Sequence, residues 1–193
     1  MRRKTIWTVA EWLLVAVLLL LLVQERMLPI GSLSAEEAFR DSEKSFHYGP
    51  SEIIRKINEP DTRNQVVFLS RYKDWFSAPS VVKRATGWGP GNGSVGGMKI
   101  DPNKPLSYSW EGNSGGSSMM RYKFFGYVPD DRISTVELLK TDSVTGKKAP
   151  LRESLLHDRM FIFLWQDKNG HREWEAIRGL DSNGQVIFEE KLN

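Results

Sequence analysis

The chain has 193 residues, with 27 lysines and arginines, 24 aspartates and glutamates, and no cysteine. The lack of cysteine excludes disulfide bonds, thiolate catalysis and thiolate metal sites. Setting aside Arg2, Arg3, Lys4 and Glu11 leaves 24 basic and 23 acidic residues, a near-neutral balance that gives no support to nucleic-acid binding.

The amino-terminal residues predict a membrane segment. A basic head, Arg2 to Lys4, precedes an unbroken apolar run from Trp12 to Val23. This order is typical of a cleavable signal peptide or of a signal anchor. Ten of the twelve residues in the run are Leu or Val, and each favours insertion by about 0.3 to 0.6 kcal/mol. Together they outweigh the cost of Glu11, about 2.5 to 3.5 kcal/mol even at the bilayer centre.

We therefore predict a cytoplasmic basic head at 1–4, a transmembrane signal anchor through the lipid bilayer at 5–24, and a juxtamembrane linker at 25–33. The positive charges of the head keep the amino terminus inside, so the rest of the chain is predicted to lie outside the cytoplasm at the cell membrane. The alternative is secretion after signal cleavage near Ser34, where the residues are small. Polar residues at 24–26 separate that position from the apolar run and favour the anchor.

The next segment predicts helix. Ser34 and Glu37 form a capping-box pattern, and apolar residues recur at helical spacing up to Phe46, before Gly49-Pro50 ends the helix. Ser51 could cap a second short helix, whose apolar face would contain the isoleucines at 53, 54 and 57.

From Gln65 onward the pattern predicts short strands separated by turns. The last three predicted strands, at 160–166, 172–178 and 185–190, are separated by turns ending in Asn-Gly, a strong hairpin signal. The fold class is predicted as α+β: a transmembrane helix, one or two short helices, and a mainly antiparallel β-sheet domain, as a sandwich or an open barrel. A seam near 100–105 would divide a small α+β unit at 34–101 from a β-sandwich-like domain at 105–193, although the two parts could equally share one core.

Several short strings spread over the ectodomain resemble small exported proteins of Bacillus-type Gram-positive bacteria. They are Glu36-Glu37-Ala38, Lys44-Ser45-Phe46-His47-Tyr48, Ile53-Ile54, Val66-Val67-Phe68, Gly87-Trp88, Phe125-Gly126-Tyr127-Val128, Ile133-Ser134-Thr135-Val136, Leu180-Asp181 and Asn183-Gly184-Gln185-Val186-Ile187. The resemblance implies a Gram-positive cell-surface location. It implies no function and no site residues.

Several short sequence motifs resemble those of enzymes, but the other residues that each enzyme class requires are missing. Gly112 to Gly116 matches the G-x-S-x-G string with Ser114 as nucleophile, but the upstream His47 falls on the predicted helix, and neither His157 nor His171 lies in a hydrolase pattern. Ser80-x-x-Lys83 likewise lacks the other motifs of penicillin-interacting enzymes. We predict no enzymatic activity, no metal site and no cofactor, and keep a serine hydrolase as the least favoured alternative.

The glycine-rich stretch around Trp88 is the predicted ligand-binding site. Gly91 to Gly96 matches G-x-G-x-x-G, but no helix follows that could hold a dinucleotide, so a mobile loop is predicted. Trp88, set among glycines, is predicted to be exposed and ligand-facing, together with Gly91, Asn92 and Gly93.

Two binding functions are consistent with these patterns. The first is an interaction or sensing module that assists a membrane complex by contacting a membrane or exported protein. The second is a carbohydrate- or cell-wall-binding module, which would present several coplanar, exposed aromatic rings on one face.

Overall fold

The structure is a computed structural model that describes residues 2–27, 31–59, 64–91, 96–114, 119–141, 148–167 and 174–192, with the side chains of the first helix described from 7 to 20. The helices are α1 (Arg2–Met27) and α2 (Ala35–Ser45). The described strands are β1 (Glu52–Asn58), β2 (Gln65–Tyr72), β3 (Trp75–Ser77), β4 (Ser80–Arg84), β5 (Gly87–Pro90), β6 (Met98–Lys99), β7 (Ser107–Asn113), β8 (Met120–Tyr127), β9 (Thr135–Lys140), β10 (Leu151–Ser154), β11 (Met160–Asp167), β12 (Trp174–Leu180) and β13 (Val186–Lys191).

α1 covers the apolar run, and its described side chains, at 7–20, are all exposed. Within the part of the chain that the structure describes, no helix combines the length and apolarity needed to cross a membrane. The anchor at 5–24 therefore stays a prediction.

α2 begins as predicted and ends at Ser45, four residues before Gly49-Pro50, where the sequence predicted its end. Ser34 is its N-cap, and the Ser34 hydroxyl accepts a hydrogen bond from the Glu37 amide at 3.1 Å. The Glu37 carboxylate accepts one from the Leu33 amide at 2.9 Å, so two amide groups at the helix start are bonded. The Phe39 ring, fully buried, stacks on Phe68 of β2 with ring centroids 4.9 Å apart, which holds α2 against the sheet.

The prediction of a second short helix after Ser51 is wrong. Residues 52–58 form β1, which pairs antiparallel with β2. Ile53 packs with the α2 cluster and Ile54 packs on the other face of the sheet, as neighbours along a strand do. The register shift between Ile53 and Arg55 lets Ile57 share the face of Ile54 although three residues separate them. β-Branched isoleucines fit a strand well, and pairing with most of β2 outweighs the local helical spacing.

The strands form three antiparallel sheets. Sheet A has the order β5-β4-β2-β3-β6, with β1 also paired to β2; sheet B has the order β11-β8-β7; and sheet C has the order β10-β9-β12-β13. The Asn-Gly turn at 183–184 joins β12 and β13 as predicted. β11, however, pairs with β8 and not with β12, so the hairpin predicted between the strands at 160–166 and 172–178 is wrong. The turn between β11 and β12 lies outside the described residues.

Sheet B is the middle layer. Phe124 and Phe161 pack toward sheet C, whereas their neighbours Phe125 and Ile162 pack toward sheet A. Because successive side chains of a strand point to opposite faces, these apolar runs are buried on both sides. α2 covers the outer face of sheet A. The architecture is therefore α+β, mostly antiparallel and sandwich-like, as predicted.

One core cluster joins side chains from before and after the predicted seam. It contains Val67 and Phe76 of sheet A together with Phe125 and Ile162 of sheet B. The division into units at 34–101 and 105–193 stays a prediction.

Candidate functional site

A pocket of about 240 Å³ lies between α2 and β5. This volume is below the range of roughly 300–1,000 Å³ usual for drug-sized ligands, so the pocket suits a small molecule or one group of a larger one. Its lining residues are Gly31, Ser32, Ala38, Asp41, Ser42, Ser45, Arg84, Thr86, Gly87, Trp88, Gly89 and Pro90.

One wall is a single face of α2. Ala38, Asp41, Ser42 and Ser45 recur at intervals of three and four residues, which places them above one another on a helix. The Ser42 hydroxyl donates to the Phe39 carbonyl at 2.7 Å, and the Ser45 hydroxyl donates to the Ser42 carbonyl at 2.8 Å. Both hydroxyl hydrogens are therefore used inside the helix, and each oxygen keeps its capacity to accept a hydrogen bond.

The segment that enters from α1 forms a second wall by adding to the edge of β5. The Gly31 amide donates to the Thr86 carbonyl at 3.0 Å, and Ser32 and Trp88 exchange two backbone hydrogen bonds of 2.7 and 2.8 Å. A methyl group at Gly31 would lie 2.6 Å from the Gly87 carbonyl carbon, so this approach requires glycine.

Asp41 supplies the negative charge of the pocket. Its carboxylate forms an ion pair with Lys44 at 3.2 Å and accepts a hydrogen bond from the Ser32 hydroxyl at 3.1 Å. The Lys44 hydrogen bond first, and the Ser32 hydroxyl second, hold the pKa of Asp41 below its ordinary value. The carboxylate is therefore ionised at neutral pH.

Arg84 supplies the positive charge. Its Nη2 donates to the Pro90 carbonyl at 3.0 Å, and its Nη1 lies beside Gly89, where a methyl group would approach to 3.1 Å. No carboxylate among the described residues pairs with Arg84. A guanidinium carries five N–H donors in a planar fork, so most of its donors face solvent or the pocket.

Of the predicted site residues that the structure describes, Trp88 lines the pocket and Gly91 does not. Trp88 lines it, but lies in β5 and not in a loop, half-buried against the cluster of α2 and sheet A. Gly91 follows β5 and does not line the pocket; its amide donates to the Ser80 carbonyl at 2.8 Å. Asn92 and Gly93 lie outside the described residues. Close backbone packing, here of Gly87 against Gly31, explains part of the glycine-rich pattern that predicted a loop.

The sequence-based prediction missed Asp41, Ser45 and Arg84. The helical spacing of α2 already indicated that Ala38 and Ser42 share a face, and extending that face by one turn would have included Ser45. No local signal indicated that this face would lie against β5, because that contact depends on the path of sheet A.

The serine-hydrolase alternative gains no histidine base from the described residues. Ser114 follows β7 at the end of sheet B where Asn113 pairs with Arg121. His157 precedes β11, whose first residue pairs at the opposite end of β8, about 23 Å away along an eight-residue strand. His47 follows α2, on the far side of sheet A. His171 lies outside the described residues.

The tryptophans of sheets B and C form a packed cluster. Trp165 and Trp174 meet edge to face with their rings 86° apart, and Trp110 and Trp174 are tilted by 58°. Tyr122 stacks on Trp165 with ring centroids 5.3 Å apart. These rings fill the space between two sheets and do not form the coplanar platform that a carbohydrate-binding face would present.

Comparisons with protein-family models, with curated proteins and with solved structures found no match to this chain. The resemblance to exported proteins of Bacillus-type bacteria stays a prediction. Any function assigned to the pocket therefore rests on its own geometry and chemistry.

Proposed function

We propose that this protein is a membrane-anchored, extracytoplasmic binding module that acts at the cell surface as an accessory or sensing protein without catalysis. Its binding site is the pocket between α2 and β5. The observation that carries this proposal is a small pocket, lined by Trp88 and by the Arg84 guanidinium, which no carboxylate of the described residues pairs with.

The exposure of α1 supports membrane attachment. Its described side chains include Trp12, Leu14 and Leu20, which are 62 to 70% exposed. A helix that is apolar on every side is stable only where an apolar environment surrounds it, and a bilayer supplies one. The flanking cations Arg2, Arg3 and Lys4 favour a cytoplasmic amino terminus.

Residues 31–34 make hydrogen bonds and a helix cap within the folded domain, and this supports an anchor over a cleaved signal. Cleavage near Ser34 would remove the hydrogen bonds of Gly31 to Thr86 and of Ser32 to Trp88, and also the N-cap of α2. It would also remove one wall of the pocket. Loss of a helix cap alone costs about 1 kcal/mol, so processing at this position would destabilise the mature protein.

The pocket would lie close to the membrane surface. Gly31 is four residues beyond Met27, the last residue of α1. Four residues span at most about 14 Å when fully extended. A ligand carried by the membrane or by a membrane protein would therefore be within reach.

Location and processing are tested on one sample of cells producing the protein with a carboxy-terminal tag. We expect the protein to remain in membranes after alkaline carbonate washing, its tag to be digested by external protease, and its intact mass to include Met1 or Arg2 as first residue. A mass beginning at Ala35 would establish secretion after cleavage, and a protected tag would overturn the topology.

Partner binding is tested with a photo-crosslinking amino acid at Ser45, on the pocket wall. The matched control has the same amino acid at Ser154, an exposed position in β10 of sheet C. Reproducible crosslinks from position 45, but not from 154, to one membrane or exported protein would support an interaction module. Equal crosslinking from both positions would exclude the pocket as a specific site.

A cell-wall carbohydrate is the second candidate ligand. Trp88 borders the same pocket as Asp41 and the serine oxygens, and an indole beside acceptors is the arrangement that binds a sugar ring. Recovery of glycan fragments from position 45, with none from 154, would favour this alternative.

A further inference from the structure

Asp41 and Arg84, the two charged residues of the pocket, differ in how many hydrogen-bond partners they have. Asp41 has both Lys44 and the Ser32 hydroxyl as partners. Arg84 has one backbone carbonyl, and no described carboxylate. The donor fork of a guanidinium matches a phosphate or carboxylate oxygen pair. Arg84 therefore has more hydrogen-bonding capacity left for a ligand than Asp41 has, and it suits an anionic group with two oxygens.

The wall of the pocket formed by α2 offers hydrogen-bond acceptors to a ligand, whereas Arg84 offers donors. The hydroxyl hydrogens of Ser32, Ser42 and Ser45 are donated to acceptors of the protein itself. Their oxygens can only accept further hydrogen bonds, and the Asp41 carboxylate is acceptor-only as well. A ligand that fills this side must bring its own O–H or N–H donors.

We infer that the pocket binds a small organophosphate, with the phosphate on Arg84 and a hydroxyl- or ammonium-bearing tail along Asp41 and the serines of α2. The inference rests on the proposed function in using the same pocket, but it does not depend on the anchor. A volume of about 240 Å³ accommodates a group of this size.

Two sources could supply this chemistry. One is a phospholipid headgroup that ends in glycerol or ethanolamine, because the pocket lies within four residues of α1. The other is a soluble phosphate ester outside the cell. Both present a phosphate and a donor-bearing tail.

The test uses the full-length protein in a neutral maltoside detergent, titrated with sn-glycerol 3-phosphate and followed by calorimetry. We expect Arg84→Gln to weaken binding about tenfold or more, as expected for loss of a charge-assisted hydrogen-bonded pair. The matched control is Lys83→Gln, which removes the same charge from an exposed neighbour that does not line the pocket. It should change affinity by less than about twofold, since an exposed charge that does not line the pocket contributes little.

Three results would overturn the inference. They are an absence of binding to the wild-type protein, equal weakening by Arg84→Gln and Lys83→Gln, and unchanged binding by Ser45→Leu, a neutral substitution that fills the pocket beside α2. Melting temperatures of the three variants should stay near that of the wild type, because Lys83, Arg84 and Ser45 are exposed. Equal affinity for inorganic phosphate would overturn the role of the tail.

The source is distinguished in nanodiscs. With phosphatidylcholine discs, whose headgroup has no O–H or N–H donor, glycerol phosphate should bind as in detergent. Discs that also contain phosphatidylglycerol should raise the apparent Kd for glycerol phosphate about tenfold by competition, if the headgroup occupies the pocket. Unchanged affinity would support a soluble phosphate ester as the ligand. A failed topology experiment would leave the detergent titration valid, so failure of the anchor and failure of this site can be told apart.

Discussion

At the scale of single residues, charged side chains between sheets A and B show how burial changes protonation. Lys123 is buried, pairs with Glu111 at 2.9 Å and donates to the Ala78 carbonyl. Glu59 lies nearby, with its Oε2 3.9 Å from Arg121 Nη1, which is longer than a hydrogen bond. Burial raises the pKa of Glu59 even though Arg121 and Lys123 oppose the shift.

The raised pKa of Glu59 predicts a pH dependence of stability. An acid whose pKa is higher in the folded state contributes stability that is fully present below its unfolded pKa, near 4.5, and is lost as pH rises through the folded pKa. The glutamine of Glu59→Gln does not ionise, so this variant does not lose that stability as the pH rises. We therefore expect the urea midpoint of the variant, relative to the wild type, to increase between pH 4 and pH 7.

The control for that experiment is Glu36→Gln. The Lys56 hydrogen bond lowers the pKa of Glu36, so its contribution runs in the opposite direction, and this variant should lose relative stability over the same interval. A difference between wild type and Glu59→Gln that stays constant with pH would contradict the assignment.

At the scale of elements, the short segment at 31–32 is the joint between α1 and the sheets. It is held by three backbone hydrogen bonds: one from the Gly31 amide to Thr86, the residue before β5, and two exchanged between Ser32 and Trp88 of β5. Gly87, at φ +124°, is in a conformation that favours glycine, and its own methyl group would lie 2.8 Å from Gly31. The joint therefore depends on two glycines from distant parts of the chain.

Gly31→Ala should open this joint. The new methyl group would lie 2.6 Å from backbone atoms of β5, so the segment must separate and lose its hydrogen bonds. At about 0.5 to 1.5 kcal/mol for each bond, we expect a loss of about 2 to 4 kcal/mol in unfolding free energy. Hydrogen exchange of the Trp88 amide should accelerate, and glycerol phosphate binding should weaken.

Gly96→Ala is the matched control, because a methyl group at Gly96 would meet nothing within 4 Å. It should leave the Trp88 amide protected and the unfolding free energy within about 0.5 kcal/mol of the wild type. Equal effects of the two substitutions would show that the close approach at Gly31 has no special role.

At the scale of the whole molecule, sheet B connects the other two sheets. An ion pair adds to the apolar contacts at its edge: Arg55 of β1 binds Glu153 of β10, Arg55 donates to the Met160 carbonyl at 2.7 Å, and Glu153 accepts from the Ile162 amide at 2.8 Å. Side chains from sheets A and C thus bond the edge backbone of β11. Such coupling favours unfolding as one cooperative unit.

Phe125→Ala tests this coupling. Phe125 is buried in the cluster shared by sheets A and B and meets Phe76 edge to face at 5.9 Å. We expect a loss of about 3 to 5 kcal/mol, the usual cost of truncating a buried phenylalanine. The exposed Phe46 is the control, and Phe46→Ala should change stability by less than about 0.5 kcal/mol.

Unfolding is followed by tryptophan fluorescence and by far-ultraviolet circular dichroism. Coincident transitions that move together in Phe125→Ala would indicate one shared core. Two separate transitions, with only one displaced by the substitution, would support the predicted units at 34–101 and 105–193.

The sequence by itself determined the features that depend on neighbours along the chain. The start of α2 follows from the Ser34 cap, and the β12–β13 hairpin follows from its Asn-Gly turn, because caps and tight turns are made within a few residues. The short strand-forming runs separated by turns likewise indicated a mainly antiparallel β-sheet domain.

Only the tertiary structure decided which strands pair and what they enclose. β1 became a strand through pairing with β2, β11 joined sheet B because both its faces are apolar, and the pocket arose where residues 31–32 meet β5. Each of these outcomes depends on contacts between segments far apart in sequence. Local propensity and spacing do not encode such contacts, because their free energy comes from surfaces that exist only after the sheets have packed.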